Sequence, residues 1–223
     1  RAGMFKLDDN GNIVNHQGAQ LMGYPTDAEG NRLSFDTQPL SLPTAAPIPA
    51  QRSTNVMAEF NLDARAPVWN SVTPPTPLSA YGTSFVAFDD QGLEIPVSMA
   101  FRKVGNNTWE VYTGVNGADP ALSTPFTLTF DQNGGLDPAS VIPPLTLASP
   151  NDPALTFPIT LDFVNVTQGG TPFGVTTLDP DGFRPGQFLG LKIGENGVIT
   201  GQYSNGETRA AGPLKPESSE HPP

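Results

Sequence analysis

The sequence predicts an all-β protein, and three observations carry that expectation. Its 223 residues include 25 Pro and 23 Gly with no collagen period. Proline removes a backbone donor and glycine weakens helices, so this usage favours short strands joined by tight turns. Apolar and polar residues alternate over several stretches, a period of two that marks half-buried strands, and no window spaces apolar residues by three and four over a helical length. Turn signals rich in Asp, Asn and Gly separate these stretches. The two ends share one strand–turn–strand texture, and a region of different texture lies between them.

Taken in order, Met4–Leu7 reads as a strand, Asp8-Asp9-Asn10-Gly11 as a turn and Asn12–Val14 as the returning strand, since Asn and Gly supply the positive φ that hairpin turns need. Gly18 and Gly23 punctuate the short strand Gln20–Met22. Residues 36–53, with Pro43, Pro47 and Pro49, are too proline-rich for a central strand and are expected to be an edge or crossing segment. Near Ser53 the texture changes: Val56, Ala58, Phe60 and Leu62 alternate with Met57, Glu59, Asn61 and Asp63. A loop over Pro67–Pro77 leads to Thr83–Phe88, a turn at Asp89–Gly92, and Leu93–Arg102 with Val97, Met99 and Phe101 on one face. Gly105-Asn106-Asn107 turns into Trp109–Tyr112. Phe126, Leu128 and Phe130 follow, closed by Asp131–Gly135, and Phe157, Ile159, Leu161 and Phe163 form the last clear alternation. Phe60, Val97, Met99, Phe101, Trp109, Val111, Phe126, Leu128, Phe130, Ile159, Leu161 and Phe163 are the expected core of this middle region, a closed barrel or sandwich. The turns Asp8–Gly11, Asp89–Gly92, Asp131–Gly134 and Glu195–Gly197 look alike, but their flanks and spacings do not match, which points to recurrent hairpin chemistry and not to an internal repeat. Residues 213–223 are polar and Pro-rich and are expected to be a disordered tail foreign to the domain.

Composition excludes several functions. The net charge is −11, and the longest basic cluster is Arg102-Lys103; a phosphate-binding partner would call for a basic patch, so no nucleic-acid partner is expected. With no Cys there is no disulfide scaffold, thiol nucleophile or Cys-ligated zinc. No apolar run approaches the roughly 20 residues that a membrane-spanning helix needs, so no membrane insertion is expected. No secretory signal is present; because Arg1 opens inside a strand-like motif, the natural N-terminus is expected to lie upstream.

Candidate chemistry is sparse. Asp8, Asn10 and Asn12 alternate like the start of a calcium loop, but Ile13 stands where glycine is required and Ala19 where the bidentate Glu belongs, so a hairpin turn is the better reading. The two histidines, His16 and His221, are far apart, and no Ser-His-Asp set is available. The acid pairs Asp89/Asp90 and Asp179/Asp181 have the residue type of a glycosidase dyad, yet neighbouring acids on turns are usually solvated. Gly169-Gly170 and Gly194–Gly197 are not set between a strand and a helix, as a phosphate cradle requires. Trp69 and Trp109 could stack on sugar rings, although the alternation around Trp109 favours a core position. No catalytic residue, metal ligand or cofactor is expected.

Both ends nonetheless carry a pattern. Arg1, Gly3, Phe5, Leu7, Asp8, Gly11, Ile13, Val14, Asn15, Gly18, Leu21, Gly23 and Tyr24 stand at fixed spacings in the first. Asp181, Gly182, Phe183, Gly186, Ile193, Asn196, Gly197, Ile199, Gly201, Tyr203, Ser204, Asn205 and Gly206 do so in the second, with Phe188-Leu189 following Gly186. Together they resemble the two half-motifs of the bacterial flagellar hook protein family. The resemblance implies a discontinuous inner β domain, residues 1–53 with 165–212, carrying an inserted outer domain over 54–164, with hinges at Thr44–Ser53 and Thr167–Pro172. It implies a structural subunit, not an enzyme, of a helical homopolymer that serves as the universal joint between motor rod and filament. The implied partners are copies of the same chain and the rod, hook-cap and hook–filament junction proteins. The implied location is extracellular, at the flagellar hook, reached without a cleaved signal peptide. The family's terminal helices do not appear in the sequence, so this stretch alone is expected to be monomeric. A carbohydrate- or receptor-binding β module of a secreted or phage protein, and a distal-rod paralogue, remain alternatives; rod relatives share the first half-motif but join the halves by a short connection.

Overall fold

The computed structural model describes residues 5–8, 10–25, 32–41, 47–73, 79, 81–194 and 198–213. The chain divides into two compact units, Arg1–Pro49 with Pro185–Pro223, and Ala50–Arg184. Among the described residues every regular element is a strand except one 3-10 turn, Pro120–Leu122.

The first unit opens with two-residue strands: β1 (Lys6–Leu7) pairs antiparallel with β2 (Ile13–Val14), and β3 (Met22–Gly23) with β4 (Gln38–Pro39). The second unit holds β5 (Asn55–Asp63), β6 (Tyr81–Phe88), β7 (Glu94–Gly105), β8 (Thr108–Val115), β9 (Phe126–Thr129), β10 (Leu145–Ala148), β11 (Thr156–Asp162), β12 (Thr167–Gly169) and β13 (Gly174–Pro180). The chain then returns to the first unit as β14 (Phe188–Ile193), β15 (Val198–Tyr203) and β16 (Thr208–Pro213), an antiparallel sheet. Ile13, Leu40 and Ile199 are the buried centre of the first unit, with Phe5, Leu7, Leu21 and Leu191 packed around them.

In the second unit β6, β7, β8 and β9 form an antiparallel meander. The other sheet is built on β5. Its first residues pair in parallel with β11, its last with β12, and the opposite edge pairs antiparallel with β13; β10 extends the sheet beyond β11. Both sheets face one core. Phe60, Phe101, Trp109, Phe163, Leu62, Ile95, Met99, Leu128 and Leu147 are almost completely buried there, and Phe126 packs against it from a half-buried position. Phe60 meets Phe101 and Phe163 at centroid distances of 5.0 and 5.5 Å, within the range of favourable ring pairs. The indole of Trp109 is satisfied in the dry interior, since Nε1–H donates to Gln168 Oε1 at 2.6 Å and Gln168 Nε2 donates to Asn107 Oδ1.

Three expectations need correction. The insert does not end at 164: residues 165–184, expected in the discontinuous domain, fold with the middle unit, because β12 and β13 complete both edges of β5. For the same reason Thr167–Gly169 is a paired strand and not a crossing hinge; the chain passes between units at Pro49/Ala50 and Arg184/Pro185. Pro213, expected to begin a disordered tail, ends β16 opposite Val198, while 214–223 lie outside the described residues.

Phe101 touches two aromatic neighbours, Phe60 and Phe173, at the centre of the core. Phe101→Ala is therefore expected to lower stability by about 3–5 kcal/mol, read as a reduced urea midpoint at constant slope. An unchanged midpoint would contradict the packing.

Candidate functional site

The acid-rich turns share one local solution. Asp8, Asn15, Asp89 and Asp131 each begin a five-residue turn in which Oδ1 accepts the backbone N–H of the second and fourth residues after it, at 2.8–3.0 Å. In each turn the glycine three positions on donates its N–H to the first residue's carbonyl and adopts positive φ, as at Gly11 (81°) and Gly92 (78°). Side chains of Asp and Asn favour this bonding because they reach their own backbone two residues on. The fourth predicted turn, Glu195–Gly197, lies outside the described residues. The oxygens that looked available to calcium at Asp8 are therefore taken: Oδ1 by backbone, Oδ2 by the Asn12 side-chain amide at 2.9 Å. Those bonds hold the Asp8 carboxyl below its ordinary pKa.

The carboxylate pairs diverge. Asp89 is 3% exposed and accepts a further bond from Ser149 Oγ at 2.6 Å, whereas Asp90 points outward to Arg52 at 3.3 Å. Burial pushes the Asp89 carboxyl up, but the Ser149 hydroxyl and the turn's N–H groups outweigh it and hold the pKa below the ordinary value. Asp179 is exposed on β13 opposite Met57, while Asp181 is bound into a junction described below. His16 is exposed and His221 lies outside the described residues. Among the described residues no three His, Asp or Glu side chains come together. Gly169 sits in β12 beside Asn61 and begins no helix.

The two tryptophans differ in burial. Trp109 is core, and Trp69 is covered by Arg102, whose guanidinium carbon lies 4.4 Å from the Trp69 centroid and 4.7 Å from that of Tyr112. Arg102 Nε donates to Glu110 Oε2 at 3.0 Å, and Tyr112 OH donates to the same oxygen at 2.7 Å. Beside this cluster a cleft of about 450 Å³ is lined by Ser79, Ala100, Arg102, Tyr112, Asp119, Pro120 and Ala121. Its arginine is already paired, and Asp119 caps the 3-10 turn through Ala121 N–H. The second residue of the basic pair, Lys103, is buried and donates to the Ala64 carbonyl. Burial lowers its pKa against the opposing pull of Asp63. The Asp63 carboxyl is drawn down to about 2, chiefly by hydrogen bonds from the Arg65 side chain and backbone.

The densest constellation is a junction at the start of β5. Asp181 Oδ1 accepts the backbone N–H of Thr54 and Asn55 at 2.7 and 3.0 Å, and Oδ2 accepts Thr54 Oγ1–H at 2.5 Å. Burial raises the Asp181 carboxyl, but these bonds outweigh it and leave the pKa lowered. Gly182 lies against Ser53 so closely that a Cβ would stand 2.5 Å from the Ser53 nitrogen and 2.7 Å from its Cα. Phe183 then bridges to Gln51 through paired backbone bonds. Asp181-Gly182-Phe183 was legible as a pattern of residues; its role as a strand anchor was not, because its partners lie far away in sequence. In the first unit a Cβ on Gly186 would meet the Asn205 side chain at 2.4 Å, a contact with side-chain atoms and not with backbone.

A family model described as the flagellar basal body protein FlaE D2 domain matches residues 61–183. The chain belongs to this family. The FlaE D2 match ends at the last residues of the second unit, not at 164, in keeping with β12 and β13 completing its sheet. The chain is 33% identical over 225 residues to the flagellar hook protein FlgE of Escherichia coli (strain K12), covering 96% of this chain and 54% of that protein. It is 31% identical over 224 residues to the flagellar hook protein FlgE of Salmonella typhimurium, covering 96% and 55%. It thus spans about half the length of the curated relatives it matches. A crystal structure of Helicobacter pylori flagellar hook protein FlgE2 superposes with a TM-score of 0.63 at 14% identity, over 96% of this chain and 80% of that one, which establishes likeness of fold.

Two outcomes follow for the FlaE D2 unit. Asp181→Ala should cost about 1–2 kcal/mol, the scale of a lost helix cap with charge-assisted bonds at an exposed site, and Gly182→Ala should cost more, because the Ser53 backbone must move; urea titration of both variants reads this. Asp63, Asp89 and Asp181 all have folded-state pKa values below the ordinary carboxylate value of 3.8. Their stabilisation is thus fully present above that value and lost as pH falls through the lowered ones. Asp181→Asn should make the fall in stability below about pH 4 shallower, and an unchanged acid profile would count against the anchor.

Proposed function

We propose that the chain is the outer, all-β part of a flagellar hook subunit, whose copies form a helical tube that transmits torque as a flexible joint between rod and filament. The observation that carries this reading is one-third identity across 96% of the chain to a protein named flagellar hook protein. The chemistry of the side chains supports it: the carboxylates that could have formed a catalytic or metal site hold turns and strand ends. The reading is of a structural protein, not an enzyme. Its partners are copies of itself and, in the assembled organelle, the rod, hook-cap and hook–filament junction proteins. It acts outside the cell, at the hook, and is exported without a cleaved signal.

In a helical tube each subunit meets its copies through heterologous, non-closing interfaces. A rotating bent tube shortens each row of subunits on the inside of the curve and lengthens it on the outside, once per turn. Polar, hydrated contacts exchange partners at small cost, whereas large apolar interfaces resist sliding. A chain with net charge −11 and strands whose outward positions include Glu59, Asn61 and Ser84 suits contacts of the first kind. The buried Trp109, and a half-buried Trp69 whose ring already carries Arg102, weigh against the carbohydrate-binding alternative.

The test is a chimaera in which this chain replaces the matching segment of the Escherichia coli relative in a hook-deficient strain. Hooks visible by electron microscopy and restored swimming are expected. A stable, exported chimaera that builds no hook would overturn the proposal. The isolated chain should sediment as a monomer at micromolar concentration, and tubes formed by it alone in dilute buffer would contradict the assignment of assembly to other parts of the subunit.

A further inference from the structure

The sequence contains five Asn–Gly pairs, four of them among the described residues: Asn10-Gly11, Asn116-Gly117, Asn133-Gly134 and Asn205-Gly206. Such pairs are chemically fragile because glycine leaves the following backbone nitrogen open to the Asn side chain. The fold treats the four differently. The N–H groups of Gly11, Gly134 and Gly206 donate to the carbonyls of Asp8, Asp131 and Tyr203 at 3.0, 3.2 and 3.0 Å. The N–H groups of Asn10 and Asn133 are held by the Asp side chains that begin their turns. Gly134 is also buried against the Gln168 backbone, where even a Cβ would come within 2.1 Å of the carbonyl oxygen.

Asn116-Gly117 forms the centre of a tight turn closed by Ala118 N–H donating to the Val115 carbonyl at 3.1 Å. With φ of 54° and 81° the two residues take the left-handed conformations of a type I′ turn. Asn116 is the one non-glycine residue with positive φ among those described. Both residues are exposed, a Cβ on Gly117 would meet nothing within 4 Å, and the Gly117 N–H has no hydrogen-bond partner among the described residues. What restrains the Asn116 side chain is one long bond, from Nδ2 to the Ala148 carbonyl at 3.3 Å.

We infer that Asn116-Gly117 is a built-in site of spontaneous deamidation, the first of the four described pairs to react in the folded chain. The Gly117 nitrogen, on losing its proton, attacks Asn116 Cγ; the N–Cγ bond forms, the Cγ–Nδ2 bond breaks and ammonia leaves with a proton. Water then opens the five-membered succinimide at either carbonyl, giving an aspartyl or an isoaspartyl residue at position 116. No oxidant or enzyme is needed. Either product replaces the donor facing the Ala148 carbonyl with a carboxylate, so the tie from this turn to β10 is lost, and the isoaspartyl form also adds a methylene to the main chain.

The experiment incubates the full chain, folded and in parallel urea-unfolded, in mildly alkaline buffer. Peptide mapping and isoaspartyl methyltransferase labelling follow each Asn–Gly pair over time. In the folded chain Asn116 should react at close to its unfolded rate, while Asn10, Asn133 and Asn205 should be slowed about tenfold or more by their closed turns. The Asn116 rate should rise with pH, and Asn116→Gln should remove that product without altering the others. Faster reaction at Asn10, Asn133 or Asn205 than at Asn116 in the folded chain would overturn the inference, as would full protection of Asn116 by folding.

Discussion

The carboxylate of Asp181 fixes where β5 begins, and much of the second unit depends on it. It binds the N–H groups of Thr54 and Asn55 at the point where the chain enters the strand that pairs with β11, β12 and β13. Beside it Gly182 allows the return segment to lie directly on Ser53. Ser53 is completely buried; its N–H donates to the Phe88 carbonyl and its Oγ accepts the Phe88 N–H, joining the start of β5 to the end of β6. One residue on, Asp89 reaches Ser149 just past β10. A continuous polar path therefore runs along the rim of the core from Asp181 to Ser149, and each buried member has its partner, as burial of polar groups requires.

The same economy of polar groups explains why so acidic a chain shows so little chemistry. An aspartate that accepts two backbone N–H groups within its own turn has the lone pairs of that oxygen directed into the turn, away from any ligand, and at Asp8 and Asp89 the bonds hold the carboxyl below its ordinary pKa. The turn is repeated on unrelated flanks because it is a local solution, stabilised by Asp or Asn at its first position and by a positive-φ glycine at its fourth. At Tyr203–Glu207 the backbone bonds recur with tyrosine first, and Asn205 Oδ1 takes over the capping of the Glu207 N–H. Stiff turns of this kind hold strand register without a disulfide or a metal, which suits a chain with no cysteine.

On the proposed reading, in which copies of this chain move past one another by small steps, rigid units with hydrated surfaces are a physical advantage. The aromatic cluster around Phe60, Phe101 and Phe163 concentrates apolar contact inside the second unit. Among the described residues the first unit has a smaller buried cluster, Ile13, Leu40 and Ile199.

The all-β class, the longer strands of the second unit and the aromatic centre of its core were determined by the sequence itself, whereas β10 with its buried Leu147 was not legible there. Period-two alternation places every second side chain on one face whatever the neighbouring strands are, so Phe60, Val97, Met99, Phe101 and Trp109 could be read directly. The turns were legible for the same reason, since Asp, Asn and Gly act on backbone within five residues. Only the tertiary structure decided which strands are neighbours. The short β12 and the polar, irregular β13 carry little periodic signal, so their membership of the second unit is set by pairing with β5. The anchoring of Thr54 by Asp181, the satisfaction of Trp109 by Gln168 and the inward and outward division of Asp89 from Asp90 all join residues distant in sequence or depend on which face the core covers. Local composition cannot encode such contacts, because they exist only once the chain has closed on itself.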